Sequence, residues 1–87
     1  MSVYMAERLL PGVSMEQLGE AQRAVIETTA KLTTSGTPVR YLGTTFIPTE
    51  SRCMCFFEAE GPDMVRVANE LAKVPFTKIV EAMELLA

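Results

Sequence analysis

The chain has 87 residues, 48% of them hydrophobic, and reads as a single domain spanning 1–87. A chain this short hides only a modest share of its surface, so its apolar content predicts a homodimer. Its eight basic and eleven acidic residues (net charge −3) exclude nucleic acid as the main partner, because phosphate binding needs a basic patch.

The N-terminus lacks the basic-then-apolar layout of a signal peptide, and no apolar run reaches membrane-spanning length. A cytoplasmic protein without membrane contact is expected.

Residues 3–10 predict a strand, stopped by Pro11-Gly12. Ser14 reads as an N-cap, and Gln17 three residues on completes a capping-box pattern. Behind it Met15, Leu18, Ala21, Val25, Ile26, Thr29 and Leu32 form a helical stripe to about Thr34, ended by Ser35-Gly36-Thr37-Pro38. Residues 39–47 are rich in β-branched and aromatic types and predict the second strand. Pro48–Ser51 turns the chain into a hairpin partner, Arg52 to Glu60. Gly61-Pro62-Asp63 then opens a second helix, with Met64, Val67, Ala68 and Leu71 as its apolar stripe and Arg66, Asn69, Glu70 and Lys73 outside. Pro75 stops it, and residues 77–86 predict a last strand whose register, and so the side Glu81 faces, is left open.

The order β-α-β-β-α-β predicts an α+β, ferredoxin-like domain: a four-stranded antiparallel sheet in the order 4-1-3-2, with both helices on one face. The other face is bare and is expected to meet its counterpart in a second subunit, as in a dimeric α+β barrel.

Within the third strand, Cys53, Cys55, Phe57 and Ala59 alternate with Met54, Phe56, Glu58 and Glu60. The two cysteines therefore share a face, about 7 Å apart along the strand, which is beyond easy bridging. They read as buried free thiols turned to the helices. The six methionines are scattered through the elements and suit adaptable core packing.

The hairpin ending in Cys55-Phe56-Phe57-Glu58-Ala59, Val67 on the second helix, the close in Ile79-Val80-Glu81, and Tyr4-Met5 with Ala21-Gln22 resemble a family of short bacterial proteins. That family is grouped as a domain of unknown function, and its best-known member binds and responds to nickel. The resemblance spans nearly the whole chain, with the Cys-x-x-Glu-Ala element as its sharpest piece. It implies a ferredoxin-like protomer, a dimer and nickel as a bound metal. Family members commonly carry histidines where Arg8, Gln22 and Ala68 stand here, and this chain has no histidine. The side chains left as donors are carboxylate, thiolate and amide; nickel prefers imidazole.

Glu58 is expected to project from a central strand into the dimer cavity. It is either a proton acceptor or ligand-orienting group set among Met54 and Phe56, or a structural carboxylate paired with Arg8 or Arg40. Arg8 shares a strand face with Tyr4, and Arg40 shares one with Leu42, Thr44 and Phe46. If these faces line the cavity, its lining is Tyr4, Arg8, Arg40, Phe46, Met54, Phe56 and Glu58, which suits a small anionic or polar organic ligand. No catalytic residue or metal ligand is assigned. The expected function is a small dimeric binding protein taking a small molecule or metal ion between its two sheets. The alternative is a cofactor-free enzyme of the monooxygenase, isomerase or cyclase kind, in which Glu58 or a tyrosine handles a proton.

Overall fold

Ser14 starts the first helix as its sequence predicts. In the computed structural model, which describes residues 1–87, the Ser14 Oγ accepts the Gln17 N–H at 3.0 Å, and the Gln17 Oε1 accepts the Ser14 N–H at 3.0 Å. Two orphan donors of the first turn are thereby satisfied. Ser14→Ala is expected to destabilise the fold by about 1 kcal/mol. A lower urea midpoint with an unchanged slope would report that loss.

The elements are β1 (Ser2–Leu9), α1 (Met15–Thr34), β2 (Val39–Ile47), a 3-10 turn (Pro48–Glu50), β3 (Arg52–Ala59), α2 (Pro62–Leu71) and β4 (Lys78–Ala82). The sheet order is β2-β3-β1-β4, with every neighbouring pair antiparallel. This is the predicted ferredoxin-like arrangement.

On β3 the alternation holds: Cys53, Cys55, Phe57 and Ala59 are buried, while Met54, Phe56 and Glu58 are partly exposed. The buried set joins Tyr4 and Ala6 of β1, Val25 of α1, and Val65 and Ala68 of α2 in one core on the helix side. Both cysteines are free. No helix is long and apolar enough to cross a membrane.

Three local expectations are corrected. The inward stripe of α2 is Val65, Ala68 and Asn69, while Val67 and Leu71 are exposed. Asn69 faces inward because it answers a buried charge from β1. On α1, Met15 and Ile26 of the expected stripe are exposed. The last strand stops at Ala82, and its register sets Glu81 opposite Tyr4. Glu81 therefore lies on the helix side of the edge strand, away from Glu58.

Candidate functional site

Directly opposed residues of an antiparallel pair point to the same side of the sheet. Tyr4 lies opposite Phe57, and Arg8 lies opposite Cys53. Both side chains therefore face the helices and are buried, not on the open face where the sequence reading set them. Phe46 also lies opposite Cys53 and faces inward. The cause is a bulge between Tyr41 and Gly43, where one extra residue in β2 reverses its alternation. Gly43 takes φ 148 there, a conformation that side chains rarely adopt. Arg40, before the bulge, stays on the open face opposite Glu58.

The open face reads as rows across the four strands. Arg40, Glu58, Val3 and Ala82 form the first, and Gly43, Phe56, Met5 and Val80 the second. Thr45, Met54, Glu7 and Lys78 form the third. The Arg40 Nη1 lies 3.9 Å from the Glu58 Oε1. Glu7 accepts a 2.6 Å hydrogen bond from the Arg52 Nε and lies 4.0 Å from the Lys78 Nζ. Charge thus flanks an apolar middle row. Beside that row is a groove of about 580 Å³, lined by Leu42, Gly43, Phe56 and the chain end Met83–Leu85.

Arg52 holds the Glu7 carboxyl below its ordinary value of 4.5, chiefly through the hydrogen bond, with burial opposing and Lys78 and Thr77 adding to the shift. A depressed folded-state value means the stabilisation is present above 4.5 and is lost as pH falls through the folded value. Glu7→Gln is therefore expected to lower the urea midpoint at pH 7. Its deficit should shrink as acid protonates the wild-type carboxylate, which paired titrations from pH 7 downward would show.

On the helix side, a cavity of about 220 Å³ lies between α1 and the sheet. Arg8, Gln22, Tyr41, Thr44, Cys53 and Cys55 give its polar and sulfur lining, with Leu18, Val25, Phe46 and Val74 among its apolar walls. Gln22 donates to the Tyr41 hydroxyl at 3.2 Å, Tyr41 hydrogen-bonds Thr44, and the Thr44 Oγ1 lies 3.1 Å from the Cys55 Sγ. The Tyr41 ring also packs on Phe57, centroids 5.5 Å apart. Burial, reinforced by neighbouring Cys55, pushes the Cys53 thiol up to about 11 against the pull of Arg8.

The seven residues expected to line one site therefore divide. Arg40, Met54, Phe56 and Glu58 share the open face, while Tyr4, Arg8 and Phe46 lie beneath the helices. Sequence reasoning missed the Glu7, Arg52 and Lys78 cluster, which becomes visible only once strand register pairs opposite charges.

An antiparallel sheet covered by two helices on one side, with an apolar open side flanked by ion pairs, defines a ferredoxin-like α+β domain. The chain belongs to the family described as nickel responsive protein SCO4226-like, whose pattern matches residues 4–82. The crystal structure of SCO4226 from Streptomyces coelicolor A3(2) is similar, with a TM-score of 0.82 at 17% identity, covering 98% of this chain and 100% of that one. Identity this low shows the fold alone. No curated protein matches the chain significantly.

Nickel is the metal the family description brings to mind, and the donors present do not fit it. There is no histidine, and within one chain no three Cys, Asp or Glu side chains gather closely enough to hold a metal ion. In the interior cavity the thiols share the space with a guanidinium, which repels a divalent cation. Of the three positions at which the resemblance implies histidine, Arg8 and Gln22 line that cavity, and Ala68 is buried on α2.

Proposed function

We propose that the protein is a small-molecule binding protein acting as a homodimer, with the open faces of two sheets turned together and the ligand held between them. The observation that carries this reading is the open face itself. Its apolar row of Phe56, Met5 and Val80 is flanked by the Arg40–Glu58 pair and the Glu7, Arg52 and Lys78 cluster. An apolar centre with a polar rim is the build of a protein interface. A two-fold axis lets one such face serve both copies.

Gly43 has no side chain, and nothing lies within 4 Å of where one would start. The groove floor beside Phe56 therefore stays open, so a second sheet encloses space there rather than meeting a filled surface. Arg40 and Glu58, on the adjoining row of the same face, supply a donor and an acceptor for the polar end of an organic ligand. The ligand on this reading is organic rather than nickel, because the donors for nickel are lacking.

Native mass spectrometry of untagged protein tests both parts. A dimer carrying an organic adduct supports the reading. A monomer at every soluble concentration, or a dimer loaded stoichiometrically with nickel, overturns it.

A further inference from the structure

Arg8 is 2% exposed, yet no ion pair of the protein includes it. Its Nη1 donates to the Pro75 carbonyl at 2.8 Å, and its Nη2 donates to the Asn69 Oδ1 at 2.9 Å, both neutral acceptors. Its Nε–H is buried without a hydrogen bond of ordinary geometry, although the Cys53 sulfur, a weak acceptor, interacts with the guanidinium. An arginine keeps its charge in proteins, and a buried charge without a counter-ion is costly. A buried donor left unmade adds to that cost.

The cavity that Arg8 lines contains no carboxylate to neutralise it. Cys53 does not supply the charge either, because its thiol stays protonated up to about 11. The remaining lining is largely aliphatic or aromatic. One cation without a counter-ion, with only two of its five N–H groups bonded to oxygen and set in a largely apolar space, matches a monoanion with an apolar body. A doubly charged anion would lose more hydration than a single guanidinium returns.

We infer that the cavity between α1 and the sheet binds a small organic monocarboxylate, its carboxylate on the Arg8 guanidinium and its apolar body between Leu18, Val25 and Phe46. At an interior packing density of about 0.74, the volume of about 220 Å³ accepts a molecule on the order of ten non-hydrogen atoms. Its exposed lining residues are Met15 and Gln22 on α1 and Thr44 on β2, and Gly19, between the first two, leaves the α1 side of that opening free of a side chain. This site is on the opposite side of the sheet from the proposed dimer groove and does not rest on that reading.

Calorimetric titration with benzoate and hexanoate, and with neutral benzamide as control, tests the inference. One carboxylate per chain is expected to bind, with benzamide weaker by about tenfold or more, because a charge-assisted hydrogen bond is lost. Arg8→Met should weaken benzoate binding about tenfold or more. Gly19→Leu adds a side chain at the mouth and a better helix former, so it folds and should also weaken binding. That variant keeps the test decisive if Arg8→Met does not fold. The inference is overturned if neither carboxylate binds saturably or if benzamide binds as well as benzoate. Undiminished binding in a folded variant also overturns it, as does chloride binding as tightly as benzoate in the same titration.

Discussion

Replacing Asn69 with leucine is expected to destabilise the fold by about 3 kcal/mol, because the buried Arg8 guanidinium loses its only side-chain oxygen acceptor. Leucine keeps the branching and heavy-atom count of asparagine, but its methyl groups are bulkier and the position is fully buried. A double variant is therefore needed to separate overpacking from the lost acceptor. The Asn69 amide also donates to the Val65 carbonyl at 2.8 Å, but within a helix that carbonyl keeps its backbone partner. What remains is a cation in an apolar interior with Pro75 as its one oxygen acceptor.

The double variant Arg8→Met, Asn69→Leu is expected to recover most of the loss, since an apolar pair of similar shape needs no partner. Urea unfolding of both single variants and the double variant closes a mutant cycle, and a coupling of about 2 kcal/mol is expected. Additive losses would mean that the two side chains are held independently, and the account of Arg8 given above would fail.

The fold was legible because its signals are local. Ser14 and Gln17 mark the start of α1, glycines and prolines mark the breaks, and the strict alternation of β3 separates its faces within eight residues. Which face of β1 is covered was not legible. Tyr4, Ala6 and Arg8 on one side and Val3, Met5 and Glu7 on the other each mix apolar residues with one charge. Only the register against β3 decides between them, by setting Arg8 beside Cys53. Phe46 was misplaced because a bulge reverses alternation with no signal stronger than one glycine, Gly43. Asn69 looked solvent-facing because its reason for being inside lies 61 residues away in Arg8. The pairing of Glu7 with Arg52 spans 45 residues and is hidden for the same cause.

That division also separates two chemistries the sequence reading had merged. A cavity with two arginines and a glutamate does not form. Instead, one arginine is paired with Glu58 at the edge of the open sheet, while the other is isolated under the helices. An exposed pair 3.9 Å apart contributes little to stability, and on the proposed reading its role is to orient what docks there. The isolated one costs stability unless something neutralises it. The two sites can therefore be altered separately.

Phe56→Asp is expected to abolish dimerisation while leaving a folded monomer. Phe56 stands in the apolar middle row of the open face, only partly buried in the single chain. A large aromatic at the centre of an interface is the kind of residue whose loss costs 2 kcal/mol or more in association, about thirtyfold in the dissociation constant. In a two-fold interface the substitution acts twice, and it sets like charges near each other across the axis. The core residue Phe57 points the other way and is untouched, so the folding cost is limited to the poor strand propensity of aspartate, about 1 kcal/mol. Sedimentation velocity should show a dimer for the wild type and a monomer for Phe56→Asp. Ile26→Asp, on the exposed side of α1, should leave the dimer intact. If Ile26→Asp dissociates the dimer and Phe56→Asp does not, the subunits meet through their helices, and no ligand is enclosed between the sheets.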